Sequence, residues 1–381
     1  MTHPKARTCG VYAAAYSMLV TACAWSPLGA TNAVASNQFL PEYRVSSTVP
    51  SNGDLNPYGV AFVPSGFPNG GKISPGDVLV SNFNDMNNCQ GQGTTVIQYT
   101  PSNSNDSVAS PNTATQFFAS PQLGLSTALG VLKGGFVIVG NVPSGMEVGG
   151  MCSPTPSPGT LQIIDRHGKI VNTLTDSSPG GGFYDSPWDL TIANDNGNTA
   201  QLFVSNVLTG TVARLDLAVG GSNVTIQHQY IIAKGYTHGT NSAAFVLGPT
   251  GLALDRSGNL FIASTADNVI YKVSNANKPV PPAPANKGMV AFSDPHLRGP
   301  LALVFSPTGT LLTANGDAVS ADPAHPSEIV EFTTAGQFIR EVNIEATEGG
   351  AFGLAINTNT NAVFNFAVVD DITNSVVLRG R

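Results

Sequence analysis

Charged residues are scarce in this chain and make up only 11% of its 381 residues. The formal net charge is −7, and the sequence contains no run of Lys or Arg. Binding to a nucleic-acid backbone needs clustered cations. We therefore expect no nucleic-acid partner.

Long apolar runs are also missing from the chain after its N-terminal region. No stretch there reaches the length of about 18 residues that is needed to cross a bilayer. Glycine and proline are abundant instead, with 41 and 27 residues. Both residues mark turns and interrupt helices. This composition predicts an all-β protein built from many short strands.

The N-terminal region resembles a secretory signal. Two basic residues, Lys5 and Arg7, precede an apolar or small-residue stretch from Cys9 to Trp25, which is the order expected of such a signal. We therefore predict a signal peptide over residues 1–35 and a single exported domain over 36–381.

Two ways of processing this leader remain open. Ala33-Val34-Ala35 fits a signal-peptidase site, whereas Val20-Thr21-Ala22-Cys23 resembles a bacterial lipobox with Cys23 as the lipidated residue. The protein is then periplasmic, secreted or an outer-membrane lipoprotein, and its only expected membrane contact is an N-terminal lipid.

Cysteine is rare, with four residues in the whole chain. Removal or lipidation of the leader leaves Cys89 and Cys152 as the two thiols in an oxidising compartment. We expect them to form one disulfide that joins two long loops. The alternative, a reactive thiol or metal-ligand pair, has no His or acidic spacing to support it.

A short pattern of Pro, a variable residue and an apolar strand recurs along the chain, as in Pro249-Thr250-Gly251-Leu252. Such self-similarity indicates a repeat fold. The intervals of roughly 50 to 70 residues suit four-stranded blades. The variable residues of the six copies are Tyr58, Leu129, Trp188, Thr250, Leu301 and Phe352.

Each copy continues as a strand, a turn such as Asp255–Asn259, and two further strands. The Asp-x-x-Gly-Asn turn favours a hairpin because these residues tolerate positive φ or bond their own backbone. The pattern resembles the NHL repeat, which implies a six-bladed β-propeller. The last copy lacks an outer strand, and we predict that residues 39–45 supply it and close the ring.

Repeat alignment also predicts two rings of side chains on one face of the propeller. The first ring is the set of variable residues above, and it is mainly aromatic and apolar. The second ring lies at the ends of the second strands and is mainly amide: Asn82, Asn141, Asn206, Ser264, Asn315 and Asp370 or Asp371.

Aromatic surface combined with amides suits a glycan, a peptide or a small cyclic compound. The main hypothesis is therefore a binding protein that uses Tyr58, Trp188, Thr250 and Phe352 with the amide ring. The alternative is that the aromatic residues fill the channel as core and the asparagines cap loop backbones.

In blade pattern the chain resembles the gluconolactonase-like and regucalcin-like propellers, and that resemblance implies a divalent metal at the channel mouth. Such propellers often place Asp between the Pro and Gly of the repeat, where this chain has Thr250. Glu147, Asp189 and Asp371 are the remaining carboxylates expected near the mouth, with Ca²⁺ as the hard cation they would suit.

Three histidines offer another metal hypothesis. His238, His296 and His325 are expected on the same face in adjacent blades. Three imidazoles can bind Zn²⁺ and activate a water. Together with Asp371 they define the alternative function, a metal-dependent hydrolase or lyase acting on a lactone, ester or peptide-like substrate. Each histidine could instead cap a loop or face solvent.

Overall fold

The computed structural model describes residues 42–380, except 102–108, 149–150, 179–180, 280–285, 317–318, 326–327, 345–348 and 360. The predicted signal peptide and Cys23 lie outside the described residues. Within these ranges, the protein has no helix long and apolar enough to span a membrane.

Six four-stranded antiparallel sheets follow one another along the chain. The first is β2 (Leu55–Phe62), β3 (Val78–Asn84), β4 (Thr95–Tyr99) and β5 (Thr115–Ala119). The second is β6 (Leu125–Leu132), β7 (Phe136–Asn141), β10 (Leu161–Asp165) and β11 (Ile170–Leu174). The third is β12 (Pro187–Ala193), β13 (Thr199–Asn206), β14 (Thr211–Val219) and β15 (Val224–Lys234).

The remaining sheets repeat this order. The fourth is β18 (Pro249–Leu254), β19 (Leu260–Ser264), β20 (Val269–Val273) and β21 (Met289–Phe292). The fifth is β22 (Pro300–Phe305), β23 (Leu311–Asn315), β24 (Glu328–Phe332) and β25 (Phe338–Asn343). The sixth contains β26 (Ala351–Ile356), β27 (Phe364–Asp370) and β28 (Ser375–Gly380), together with β1 (Glu42–Ser47).

The innermost strands of successive sheets contact one another, and β26 contacts β2, so the sheets form a closed six-bladed β-propeller. The N-terminal strand β1 pairs antiparallel with β28, with Glu42 opposite Gly380 and Ser47 opposite Ser375. The predicted ring closure is confirmed. It covers an edge of β28 that would otherwise have unpaired backbone groups.

The recurring Pro and Gly have a geometric basis. Pro187, Pro249 and Pro300 each open an innermost strand, and Pro57 is the third residue of β2. A register shift follows each of these prolines. A Cβ on Gly251 would collide with the backbone oxygen of Leu301, and one on Gly353 with that of Tyr58. Glycine is needed here because the backbones of neighbouring blades approach too closely for a side chain.

Hydroxyl groups join neighbouring blades around the channel. Ser81 Oγ donates to Ser126 O at 2.8 Å, and Ser205 Oγ donates to Thr250 O at 2.7 Å. Thr250 Oγ1 in turn donates to Pro300 O at 2.9 Å. These bonds satisfy carbonyl groups that face an adjacent blade rather than a partner strand.

The core lies between the blades, as in the cluster formed by Leu79, Val96, Phe117 and Val137 across the first two sheets. Hairpin turns of the predicted type connect the inner strands. In the turn after β18, Asp255 Oδ1 accepts the Ser257 and Asn259 N–H groups.

The strand register corrects one member of the first ring. Pro57 lies opposite Asn82, and in the second blade Leu125 lies opposite Asn141 while Leu129 lies opposite Val139. By this register, Thr127 rather than Leu129 occupies in the second blade the position that Tyr58 occupies in the first. The sequence copy was misaligned because this blade lacks the Pro that anchors the others.

Candidate functional site

We call the side of the ring that carries the entry loops of the innermost strands the loop face. Two inserted hairpins lie there: β8 (Ser144–Val148) with β9 (Met151–Pro156), and β16 (Gly239–Asn241) with β17 (Phe245–Leu247). Cys89 and Cys152 form the expected disulfide, with Cα atoms 5.3 Å apart. It joins the β3–β4 loop to β9. A disulfide of this kind fits an oxidising compartment.

An aromatic cluster fills the channel below these loops. Tyr58 stacks between Phe83 and Phe352, with ring centroids 4.5 and 4.0 Å away. Trp188 packs edge-on against Tyr58 and Phe83, and Phe245 packs edge-on against Phe83. Tyr58 and Trp188 are each only 3% exposed. Both faces of the Tyr58 ring are therefore covered, and neither can stack on a sugar ring.

Phe245 descends into this cluster from the β16–β17 hairpin. It is 1% exposed and has a φ of 62°, a conformation that is strained for a bulky side chain. Asn241 Oδ1 stabilises the bend by accepting the Ala243 and Ala244 N–H groups. The hairpin thus holds Phe245 over the channel despite the strain.

The predicted amide ring is buried and caps the entry loops. Asn82 Nδ2 donates to Thr48 O, and Asn141 Nδ2 donates to Leu123 O while its Oδ1 accepts the Thr160 N–H. Asn206 and Asn315 bond the loops before β12 and β22 in the same way. The amides of these asparagines are already hydrogen-bonded to the backbone. The residues therefore cap loop backbones, which was the alternative to a role in ligand binding.

A cavity of about 140 Å³ lies beside the aromatic cluster. Its walls include four predicted ring residues and one predicted carboxylate: Tyr58, Trp188, Leu301, Phe352 and Asp371. Ala243, Ala244 and Val246 of the β16–β17 hairpin cover it. A cavity of about 150 Å³ can hold benzene, so this space suits one compact ring.

Polar groups of the cavity-wall residues include those of Tyr58, Trp188, Thr265 and Asp371. Trp188 Nε1 is buried and has no hydrogen-bond partner among the described residues. Burying an N–H without a partner costs about 1 to 3 kcal/mol. Burial raises the pKa of the Tyr58 hydroxyl well above its ordinary range, and the nearby Asp371 carboxylate raises it further. Tyr58 therefore stays neutral, and Asp371 is the anionic group of this wall.

Thr250 is buried at 3% exposure and does not line the cavity, since its hydroxyl joins the fourth and fifth blades. The neighbouring Thr265 and Leu301 line it instead. Thr250, which stands where gluconolactonase-like propellers often place Asp, thus has a structural role in this chain.

The three histidines lie in separate surroundings. His238 Nδ1 is 2.8 Å from Tyr236 O, and His296 Nδ1 is 2.5 Å from Asp294 Oδ1. His325 Nδ1 is 2.9 Å from Asp322 Oδ2, and this hydrogen bond lowers the pKa of that carboxyl. No group of three His, Cys, Asp or Glu side chains in the described part of the chain is arranged to hold a metal ion. The structure does not bring these histidines and Asp371 together, and the Glu147 side chain lies outside the described residues.

Several cavity residues were missed from the sequence, among them Gln90, Val246 and Gly316. Val246 lies in a connection between blades, and Gln90 and Gly316 lie in loops between second and third strands. The repeat alignment does not constrain the conformations of these segments. One signal was available: the connection between β15 and β18 is longer than a simple blade link requires. Extra residues at that point of a propeller can only lie on the loop face.

Comparison with solved structures agrees with this architecture. A gluconolactonase from Xanthomonas campestris matches with a TM-score of 0.54 at 13% identity, over 91% of this chain and 93% of its own. This chain shares its six-bladed propeller fold. A luciferin-regenerating enzyme matches with a TM-score of 0.51 at 10% identity, over 89% of this chain and 98% of its own.

Neither a protein-family model nor a curated protein matches the sequence. At the identities above, structural similarity establishes the fold and leaves the activity open. The propeller proteins most similar to this chain include enzymes, and the fold is compatible with catalysis as well as binding.

Proposed function

We propose that this protein is an exported β-propeller that binds a compact cyclic molecule in the loop-face cavity. The observation that carries this proposal is Trp188, a residue of the cavity wall whose buried indole N–H has no partner in the described residues. A ligand with a carbonyl or ring oxygen would accept that hydrogen bond. The gain is large because the donor is already desolvated.

The size and chemistry of the cavity narrow the ligand further. About 140 Å³ admits one small ring and excludes an oligosaccharide or an extended peptide. Leu301, Val246 and the edge of Phe352 supply apolar contact, while Asp371 can accept a hydroxyl group of the ligand. Small lactones and cyclic ketones combine these features.

Tryptophan fluorescence provides the first test. The chain has two tryptophans, Trp25 and Trp188, so a Trp25→Phe variant leaves Trp188 as the single reporter. We expect δ-valerolactone and cyclopentanone to quench or shift its emission with saturation, and cyclopentane to do so much more weakly. Emission that does not respond to any of these rings would reject the cavity as a binding site.

A pair of variants tests the hydrogen bond itself. Trp188→Phe keeps an aromatic ring but removes the donor, and we expect about a tenfold loss of affinity in calorimetry, equivalent to about 1.4 kcal/mol. Tyr99→Phe is the matched control, because it removes a polar group from an aromatic residue outside the cavity. Equal affinity in both variants would contradict the assignment.

The alternative function, a metal-dependent hydrolase or lyase, is favoured at this site only by the Asp371 carboxylate in the cavity wall. Proton release from δ-valerolactone in a pH-stat, combined with metal analysis of the protein, distinguishes it from binding. Hydrolysis that needs a stoichiometric divalent metal and is lost in Asp371→Asn would support the enzyme. Saturable binding without turnover supports the binding protein.

A further inference from the structure

A second cavity, of about 330 Å³, occupies the other end of the central channel. It is lined by the final residues of the innermost strands, including Phe62, Leu254, Phe305 and Ile356. We call this side, which carries the hairpin turns between first and second strands, the turn face. Two residues that the sequence predicted for the other face, Leu129 and Asp189, line this cavity. The ligand proposed for the loop face does not involve it.

Asp189 is the one ionisable residue in the wall of this cavity. Its Oδ1 accepts the Leu190 N–H at 2.8 Å, and its Oδ2 accepts the Leu252 N–H at 3.1 Å from the next blade. Both oxygens are therefore fixed in position. Each retains a second lone pair, since a carboxylate offers about four acceptor sites.

Among the described residues, no Lys, Arg or His lines this cavity to balance the carboxylate. The strands packed against β12 are β6, β7, β13 and β18, and their sequences contain no ionisable residue. Two charged residues of the turn face, Asp255 and Arg256, line an adjoining groove. Two backbone N–H groups orient the partly buried Asp189 carboxylate but do not neutralise its charge.

We infer that the turn-face end of the channel binds a small organic cation, an ammonium group on a compact apolar body, through Asp189. An ammonium group supplies the positive charge and the hydrogen-bond donors that this wall lacks. Apolar side chains on the walls accommodate the rest of the molecule, and Phe62 and Phe305 at the mouth offer ring faces to a cation or an arene.

The protonation behaviour of Asp189 agrees with this geometry. Burial raises the pKa of its carboxyl to about 7, although the Leu190 and Leu252 N–H groups act in the opposite direction. A bound cation stabilises the ionised form, so affinity must rise with pH across neutrality. An ammonium compound stays protonated over that range, and the pH dependence reports on the carboxyl.

Calorimetry with benzylammonium and the neutral analogue benzyl alcohol at pH 8 tests the inference. We expect saturable one-to-one binding of benzylammonium, at least tenfold weaker binding of benzyl alcohol, and at least a tenfold loss of benzylammonium affinity in Asp189→Asn. Asp195→Asn, which alters a carboxylate in the β12–β13 turn that does not line the cavity, is expected to leave the affinity unchanged. Affinity for benzylammonium should fall about tenfold between pH 8 and pH 6, as Asp189 becomes protonated.

A second variant covers the case in which Asp189→Asn does not fold. Thr358→Trp places bulk at the exposed channel mouth and is expected to reduce benzylammonium affinity without disturbing the core. No detectable binding of benzylammonium, equal binding of the two probes, or full affinity in either blocking variant would overturn the inference.

Discussion

The two ends of the central channel are built from the same six strands but are filled differently. At the loop face, Tyr58, Trp188 and Phe352 pack with Phe83 and Phe245 into a closed aromatic cluster. At the turn face, a cavity of about 330 Å³ contains a single carboxylate. Long connections reach over the channel at one end, whereas the short hairpin turns at the other end cannot.

This difference shows that insertions, rather than the repeat itself, decide which end is closed. The β16–β17 hairpin brings Phe245 and Val246 over the channel, and the Cys89–Cys152 disulfide joins two further loops above it. Most turns of the other face are short, such as Asp255–Asn259, which is held by its own hydrogen bonds. The longer β2–β3 connection packs Phe67 and Ile73 into the core between the first two blades.

The largest effect on the free energy of unfolding is expected when aromatic residues at the two ends are replaced by alanine. Phe83→Ala removes a fully buried ring and is expected to lower the free energy of unfolding by about 3 to 5 kcal/mol. Phe305→Ala, at the open end, removes a partly exposed ring and is expected to cost about 1 to 2 kcal/mol. Urea unfolding at pH 7 measures both. Equal losses would mean that the two ends are packed alike.

The next effect concerns the pH dependence of stability. Burial raises the pKa of the Asp189 carboxyl in the folded protein from its ordinary value of 3.8 to about 7. Between these values the folded state keeps a proton that the unfolded state has lost. The free energy of unfolding therefore falls as pH rises from about 4 to about 7, by about 2 to 4 kcal/mol in total.

The same unfolding measurements in Asp189→Asn should lack this decrease, whatever the absolute stability of the variant. Asp195→Asn should retain it, because the substituted carboxylate lies in the β12–β13 turn outside the cavity wall. A decrease of the same size in Asp189→Asn would mean that other groups cause the pH dependence. The carboxylate at the turn face would then not be its source.

The smallest effect tests the amide ring of the loop face. Asn141→Asp preserves the acceptor for Thr160 but replaces the donor to Leu123 O. We expect a loss of about 1 to 3 kcal/mol in the free energy of unfolding, since a buried carbonyl is left facing an oxygen. Asn198→Asp, in an exposed turn, should change it by less than about 0.5 kcal/mol. Similar values for both variants would argue against loop capping.

Much of the fold was predictable because each blade repeats a local pattern. The Pro-x-Gly element, the Asp-x-x-Gly-Asn turn and the alternating strands specify one blade, and the missing outer strand of the last copy identified its N-terminal replacement. The pairing of Cys89 with Cys152 followed from the small number of cysteines. Leu129 was wrongly aligned with Tyr58, because the second copy lacks the Pro that anchors the alignment of the other copies.

The candidate sites were less predictable, because they depend on contacts between distant segments. Position in the repeat indicated that Tyr58, Trp188 and Phe352 face the channel, but not that Phe83 and Phe245 would cover them. It placed Asn141 and Asn206 at strand ends, but not against the loop backbones that they bond. Asp189 was identified as a carboxylate near the channel, while its position toward the turn face depends on the register of β12.

The sequence by itself determined the number of blades, the closure of the ring and the disulfide, since these follow from local patterns and from counting. Only the tertiary structure decided which end of the channel is filled, which polar groups are already paired, and where Trp188 and Asp189 lie relative to a cavity. Those properties depend on how loops from different blades pack together. Nothing in the spacing of residues along one chain fixes that packing.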